Sequence, residues 1–487
     1  MEHIPALAAD PDDRDAPRRS LILAGGGMRV AWQAGVLCAL EESGLAFAHA
    51  DGTSGGTINL AMLLSGRAPR EMSERWRTLR VRDFASPLPL REYLRGPRLS
   101  GFAGADGIVR RVFPHLGIDV ETIRSARGIE GTFNVCNHAA KTNEAIGHRD
   151  VDLEALVAGI SLPMIMPAVW RGRTPYVDAV WIKDANLMGA VKRGAEELWI
   201  LWCIGNTPAY RDGPFHQYVH MIEQSANGAL FEELDRIGDL NAAIRAGHSP
   251  YGQRRPVIVH VVKPHHPIPL DPDLFLGRID AATLVAMGYR DARRYLATMD
   301  GDRGVGLTPE ATRMEEPGVR VFWRERHAGP LGRVQLVAEV PDAAAFVARR
   351  DEARLVGASR RGASVTACCA MGAPPWRPAR SSTRGCSTPA DESCGCTGAA
   401  RRRAPLGERL RSLRGLRVEL REGAGGALVG EGRLEPEGGG LTAPVPLPIV
   451  TNAPSLRGRL SAAASFERVM AGELLGGGAR LAGSSSN

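Results

Sequence analysis

Two glycine-rich turns near the start of the chain hold the residue types that could do chemistry. The second turn, Gly52–Gly56, reads Gly-Thr-Ser-Gly-Gly and has the spacing Gly-x-Ser-x-Gly. Small residues on both sides let a serine occupy a sharp turn from which its hydroxyl can meet a carbonyl carbon. The sequence therefore predicts that Ser54 is a nucleophile, with Gly52 and Gly56 supporting the turn that presents it.

The first turn could hold the negative charge that such an attack creates. Gly25, Gly26 and Gly27 follow the apolar run Leu21–Ala24 and precede a helix pattern over Val30–Glu42. Unpaired N–H groups at the start of a helix favour an anion, and glycines leave those groups uncovered. We predict that the three glycine N–H groups form an oxyanion hole.

The elements that must position both turns follow the same plan twice. After the first strand, turn and helix, Ala46–Asp51 is a candidate strand and Thr57–Leu64 a candidate helix. Each turn would then lie at the carboxyl end of a strand. Neighbouring parallel strands would bring the two turns together.

The order of these motifs, GGGMR, a helix and then GTSGG, resembles the patatin-like phospholipase family, whose members carry a Gly-Gly-Gly-x-Arg-Gly loop and a Gly-x-Ser-x-Gly elbow. The resemblance covers about Arg19 to Met299. It implies a lipid acyl hydrolase of phospholipase A, lysophospholipase or esterase type, with a Ser–Asp dyad and no histidine. The chain has Val30 where the family has glycine, and the resemblance gives Arg29 a structural or charge role beneath the oxyanion loop.

The implied aspartate must come later in the chain, where two candidates compete. Asp178 ends a strand-like segment and is followed by the small Ala179, where the family has glycine. Asp184 precedes a helical run that starts near Asn186, which favours a role as the helix N-cap. We therefore predict that Asp178 is the general base that takes and returns the serine proton.

The apolar segment Ser161–Trp170, SLPMIMPAVW, lies shortly before this aspartate. Pro163 and Pro167 exclude a regular helix there. Two interpretations stay open, a buried loop over the core or a wall of a pocket for the acyl chain.

Beyond the serine turn, candidate strands alternate with candidate helices. This alternation predicts an α/β fold of three layers, with a mainly parallel sheet covered by helices on both faces. The resemblance implies its patatin-like version, with a small β-rich appendage at the C-terminus. The expected organisation is a flexible tail over 1–18, the acyl hydrolase domain over 19–300, the start of the β-rich region over 301–360, a low-complexity, disordered segment over 361–405, and the rest of that region with a flexible tail over 406–487.

The segment 361–405 contains one valine and no leucine, isoleucine, phenylalanine or tyrosine, so it cannot bury a core. A disturbed reading frame in the parent gene is a second explanation for its composition. Five of the eight cysteines lie there, at spacings that fit no usual zinc site. We expect no metal and no cofactor.

The net charge of +7 does not indicate a nucleic-acid partner, because 57 of the 61 basic residues are arginine and the bias is compositional. The expected partner is a lipid or acyl-ester substrate, with transient contact to a membrane surface. The N-terminus lacks the apolar stretch of a signal peptide, and no run reaches the roughly 18 apolar residues of a membrane span. These features predict a cytoplasmic protein or one peripheral to a membrane.

An α/β-hydrolase with a Ser–Asp–His triad is the first alternative, because the order Ser54, Asp178, histidine would fit it. The fit is incomplete, since both glycine turns come too early in the chain for that fold. The candidate histidines are His260, His265 and His266.

Two further alternatives need no acyl transfer. Gly25-x-Gly27 after a strand also suggests a dinucleotide-binding turn, although Val30 replaces the third glycine of that fingerprint. A catalytically silent lipid-binding module would explain the departures at Val30 and Ala179.

Overall fold

The computed structural model describes residues 3–10, 16–299, 304–329, 332–345, 354–359, 364–365, 416–421, 428–436, 449–451, 457–458 and 460–465. The chain divides into two compact units, Met1–Glu316 and Pro317–Asn487. The disordered segment expected over 361–405 lies outside the described residues, apart from the two-residue strand Ser364–Val365.

The first unit is built on a mixed sheet with a parallel centre. Its strand order is β5-β6-β3-β2-β1-β7-β8, with β4 on the edge of β3. The pairs that join β3, β2, β1, β7 and β8 are parallel, whereas β4, β6 and β5 pair antiparallel. The strands are β1 Arg19–Leu23, β2 His49–Gly52, β3 Glu130–Asn137, β4 Thr142–Gly147, β5 Val169–Arg171, β6 Thr174–Asp178, β7 Glu197–Leu201 and β8 Ile258–Val262.

Helices surround this sheet, which confirms the predicted three-layer, mainly parallel α/β fold. Among the described residues, no helix is both long and apolar enough to cross a membrane. The helices are α1 Ala31–Glu42, α2 Gly55–Leu64, α3 Pro69–Thr78, α4 Leu90–Tyr93, α5 Phe113–Leu116, α6 Val120–Ser125, α7 Leu153–Gly159, α8 Leu187–Lys192, α9 Pro214–Arg245, α10 Asp271–Phe275 and α11 Ala281–Thr298.

Alternate residues of the central strands face different helices. Ile200 packs in one buried cluster with Leu230 and Leu234 of α9. Its neighbour Trp199 instead meets Tyr295 of α11, with ring centroids 6.1 Å apart. Because successive strand side chains point to opposite faces, α9 and α11 cover the two faces of the sheet.

Two glycines let α1 and α11 pack in direct backbone contact. A Cβ atom at Gly35 would overlap the carbonyl oxygen of Val285, and one at Gly288 would overlap that of Trp32. The indole N–H of Trp32 also donates to Asp291 Oδ2 at 2.9 Å. The first helix of the unit is therefore fixed to the last long one.

The described N-terminal residues, which the sequence places in a flexible tail, make backbone contacts with the segments that precede β2 and β3. His3 bridges to Ala126 and Ala8 to Phe47. The Ala9 N–H donates to the Phe47 carbonyl at 2.9 Å.

The second unit contains a β-sheet, as predicted for the C-terminal appendage. Its described strand pairs are all antiparallel, in the order β12-β11-β10-β9-β14-β13, with β15 also on β9. The strands are β9 Arg320–Gly329, β10 Gly332–Val340, β11 Arg354–Ser359, β12 Ser364–Val365, β13 Leu416–Arg421, β14 Leu428–Pro436 and β15 Ile449–Thr451.

Candidate active site

The two glycine turns lie side by side because β1 and β2 pair in parallel. Leu23, the last residue of β1, is opposite Gly52, the last residue of β2. The Thr53 N–H then donates to the Leu23 carbonyl at 3.1 Å and holds the second turn against the first strand. Both turns thus leave the same edge of the sheet, as the repeated strand–turn–helix pattern predicts.

Ser54 occupies a strained corner between β2 and α2. Its backbone has φ 52° and ψ −128°, a conformation that L-residues rarely adopt. A Cβ atom at Gly56 would overlap the carbonyl oxygen of Leu23, so only glycine lets α2 start so close to β1. The side chain of Ser54 is 7% exposed. The turn therefore presents a hydroxyl in a nearly buried setting.

Strand register brings Asp178 to this serine. Asp178 is opposite Val135 in β3, two residues beyond Phe133, which is opposite Gly52 in β2. The Ser54 hydroxyl donates to Asp178 Oδ2 at 2.6 Å. The structure thus places the predicted serine and aspartate in direct contact, although 124 residues separate them in sequence.

Burial changes the proton affinity of Asp178. The carboxyl is 1% exposed, and loss of water raises its pKa to about 7. The Ser54 hydroxyl and the Val180 N–H, which donates to Oδ1 at 2.9 Å, act in the opposite direction. Ala179 and Val180, where the family motif has small residues, form a buried 3₁₀ turn that supplies this N–H group. Such a pKa suits a general base near neutral pH.

The three predicted oxyanion donors are not equivalent. The Gly25 N–H already donates to Asp184 Oδ1 at 2.9 Å. Among the described residues, no acceptor is found for the N–H groups of Gly26 and Gly27, whose φ values are 153° and 60°. The geometry therefore leaves two of the three donors available to a ligand.

Arg29 and Val30 hold the glycine loop from behind. The Arg29 Nε–H donates to the Gly26 carbonyl at 3.0 Å, a structural contact beneath the loop. Val30 is fully buried, and its carbonyl accepts from Asn59 of α2 at 2.9 Å. The valine that departs from the family motif is thus accommodated between the loop and α2.

The expectation that Asp184 caps the next helix is wrong. Asn186 caps α8, because its side chain accepts from the Gly189 N–H at 3.2 Å. Asp184 instead points back to the glycine loop and is 1% exposed. Asn186 stands directly before the helix in the sequence, and asparagine is also a favoured N-cap residue. The prediction therefore assigned the cap to the wrong one of the two residues.

A buried polar network beneath the serine turn was not predicted. The Asn134 amide lies within hydrogen-bond distance of Asp51 Oδ1, at 2.5 Å, and of Thr53 Oγ1, at 3.0 Å. The Asn186 side-chain amide donates to Asn134 Oδ1 at 3.2 Å. Burial raises the pKa of Asp51 to about 7. Polar residues within the buried strands β2 and β3 were the available signal.

The histidines of the triad alternative lie elsewhere. His260 stacks on Trp199 with ring centroids 4.1 Å apart. His265 Nε2 is 2.8 Å from Glu315 Oε2, and His266 Nδ1 is 3.0 Å from the Glu315 carbonyl oxygen. No described histidine hydrogen-bonds to Ser54 or Asp178.

Two other features lie apart from the serine. His265, His266 and Glu315 could offer metal ligands, since their ligand atoms lie within 4.8 Å of one another. A cavity of about 530 Å³ opens beside β8 and α11, lined in part by Lys263 and Tyr295. Neither includes Ser54 or Asp178.

The segment Ser161–Trp170 is not a wholly buried loop. Ser161 is buried, and its carbonyl accepts from the Asp178 N–H at 3.0 Å. Met164 is 58% exposed and Ile165 40% exposed. The segment therefore runs from the candidate base out to the surface.

Comparison with known proteins supports the sequence resemblance. Residues 21–191 match the family model described as Patatin-like phospholipase. No curated protein matches the chain at a significant level. The matched stretch includes both glycine turns, Asp178 and Asp184, and it supports a lipid acyl hydrolase in general. Residues 21–191 of this chain are therefore identified as a patatin-like phospholipase domain.

Proposed function

We propose that this protein cleaves carboxylic ester bonds of lipids through an acyl-enzyme formed on Ser54, with Asp178 as the general base. The observation that carries the proposal is the 2.6 Å hydrogen bond from the Ser54 hydroxyl to Asp178 Oδ2. The serine has a base in contact and lies beside a loop with free N–H donors, which are the parts that acyl transfer requires.

The reaction proceeds in two halves. Asp178 accepts the proton as Ser54 Oγ bonds to the ester carbonyl carbon, and the N–H groups of Gly26 and Gly27 stabilise the oxyanion. The leaving alcohol takes the proton from Asp178 as the C–O bond breaks. Water then attacks the acyl-enzyme, giving its proton to Asp178, and Ser54 is released with that proton.

Labelling with a fluorophosphonate probe tests the dyad. Ser54→Ala should abolish labelling, and Asp178→Asn should lower kcat on p-nitrophenyl esters by about 10²- to 10⁴-fold, because the base is lost. Ser43→Ala is the matched control and should label like the parent. A panel from short esters to phospholipids then defines the substrate range.

Two results would contradict this assignment. One is continued labelling of Ser54→Ala at the parental rate. The other is loss of activity in a folded variant of His260, His265 or His266, since the dyad uses no histidine.

We further propose that an apolar rim, defined as Leu90, Leu94, Phe102 and Met164, contacts the membrane that holds the substrate. These side chains are 75%, 79%, 59% and 58% exposed. Large apolar side chains exposed together favour an interaction surface. The rim therefore offers an apolar surface for lipid.

Hydrogen bonds to backbone carbonyls connect this rim to the candidate base. The Tyr93 hydroxyl donates to the Phe102 carbonyl at 3.1 Å, and the Phe102 N–H donates to the Met164 carbonyl at 3.1 Å. Ser161, three residues before Met164, accepts from the Asp178 N–H. A lipid held at the rim would lie at the edge of the site.

The charges beside the rim favour anionic lipid. The side chain of Arg91 is 84% exposed, and Arg95 and Arg98 lie exposed on the same stretch. Glu92 pairs with Arg95 at 2.8 Å and with Arg91 at 4.0 Å, but its single negative charge offsets only one of the three cations. Exposed arginines beside apolar side chains match a surface of anionic headgroups over acyl chains.

Vesicle sedimentation tests the rim independently of catalysis, with Ser54→Ala as the parent. This protein should bind vesicles of phosphatidylcholine with phosphatidylglycerol better than phosphatidylcholine alone. Adding Leu94→Glu should weaken binding roughly tenfold through lost apolar burial. Ile4→Glu, added to the same parent, is the control. Ile4 is 74% exposed near the amino end of β3, and vesicle binding should stay unchanged. Equal binding by the Leu94 and Ile4 variants would contradict the rim.

A further inference from the structure

Asp184 is a buried carboxyl that the proposed proton transfer does not use. Its Oδ1 accepts from the Gly25 N–H at 2.9 Å. Its Oδ2 is buried and has no hydrogen-bond partner within the described part of the chain. Burying a hydrogen-bond acceptor without a partner costs stability. The presence of such an acceptor at this site therefore points to a function for Asp184.

Asp184 lies next to both reactive turns. A Cβ atom added to Gly25 would overlap Asp184 Oδ1 and lie 2.8 Å from the Ser54 Cβ. Two residues on, Asn186 contacts Asn134, which contacts Thr53 in the serine turn. The stretch that carries the base therefore also braces the glycine loop at one point and the serine turn at another.

The charged groups around Asp184 favour its neutral form. Asp178 lies close on the same stretch, and two buried carboxylates at one site cannot easily ionise together. Burial and then Asp178 raise the pKa of Asp184 to about 8, whereas Arg29 on the glycine loop acts in the opposite direction. Two further titratable groups face this loop. Burial raises the pKa of the Cys203 thiol to about 12, and burial also raises the pKa of the Asp271 carboxyl on α10, which lies against Gly27.

An uncharged Asp184 suits a site that must stabilise an oxyanion. Its carbonyl oxygen can accept from Gly25 without placing a negative charge beside the charge that develops on the substrate. An ionised Asp184 would oppose that charge across a short, poorly screened distance.

Resting on the proposed Ser54 chemistry, we propose that Asp184 is a positioning residue: as an uncharged acid it holds Gly25 so that the Gly26 and Gly27 N–H groups face the reacting carbonyl. It touches the loop and not the substrate. Its ionisation switches off acyl transfer above neutral pH.

Two substitutions of Asp184 distinguish its role as a hydrogen-bond acceptor from the effect of its charge. Asp184→Asn keeps an acceptor that cannot ionise, so its kcat should stay within about threefold of the parent at pH 7. In a plot of kcat against pH, the alkaline limb is the region above neutral pH where kcat falls. The parental kcat should fall there about tenfold per pH unit, and the Asn variant should lose this limb. Asp184→Ala, which removes the acceptor, should lower kcat on the order of 10²-fold with little change in KM.

Asp291→Asn is the matched control, since Asp291 is a buried carboxylate on α11 that contacts Trp32. Its alkaline limb should match that of the parent. An unchanged alkaline limb in Asp184→Asn would overturn the proposal, as would a parental kcat in Asp184→Ala. Far-UV circular dichroism verifies that each variant is folded. Failure of the Ser54 chemistry would appear separately, as activity that survives Ser54→Ala.

Discussion

Asp178 meets two opposing demands as a single residue. As the proposed base it must ionise near neutral pH, yet it lies buried against Ser54 with its pKa raised from 3.8 to about 7. The folded protein then binds this proton more tightly than the unfolded chain. The free energy of unfolding contributed by Asp178 is therefore greatest below about pH 4 and falls as pH rises through 7.

Substitution of Asp178 should remove this pH dependence of the free energy of unfolding. Asp178→Asn carries no titrating group, so its free energy of unfolding should exceed that of the parent increasingly between pH 5 and pH 8, by on the order of a few kcal/mol. Urea denaturation at several pH values measures the difference. Ser54→Ala keeps the carboxyl but loses a hydrogen bond that lowers its pKa, so its free energy of unfolding should still fall with rising pH. A difference between Asp178→Asn and the parent that stays constant with pH would contradict the argument.

At the scale of elements, the site depends on how closely α2 approaches β1. The first turn of α2 follows Ser54 directly, and its Gly56 leaves no room for a side chain beside Leu23. The glycine loop packs on the same turn, because a Cβ atom at Gly55 would overlap the Gly27 carbonyl. The start of α2 thus fixes the distance between Ser54 and the glycine loop.

Adding a methyl group at this helix start tests that packing. Gly56→Ala should lower the free energy of unfolding by about 2 to 3 kcal/mol, since the backbone must shift to relieve the overlap. Gly228→Ala in α9 meets nothing within 4 Å and should be neutral or stabilise by up to about 1 kcal/mol. Thermal unfolding compares the two, and equal effects would contradict a special role for the α2 start.

Across the whole molecule, local patterns in the sequence predicted the fold class well. The apolar run that ends in glycine located β1, and the repeated strand–turn–helix pattern located β2 and α2. The edge strand β4 was missed because its residues, Thr142–Gly147, are polar and only partly buried, so they lack the signal of a covered strand.

The candidate site was predictable where the residues of a single turn form a sequence motif. Ser54 and the glycine loop stand out by spacing, and Asp178 followed from the resemblance and a strand end. The contact of Asp184 with Gly25 joins residues 159 positions apart, and no local pattern encodes it. The catalytic roles of Ser54 and Asp178 stay predictions that the labelling experiment tests.

The position of β1 has a consequence for biosynthesis. β1 emerges early from the ribosome, yet it lies between β2 and β7, and its Arg19 is hydrogen-bonded to Glu197, 178 residues later. One edge of the nascent β1 therefore has no partner until β7 has been made. Ser54 and Asp178 have both been synthesised by then, so their strands are present before the centre of the sheet can be completed. Contacts this distant in sequence slow folding, and the exposed edge is where a chaperone would be needed.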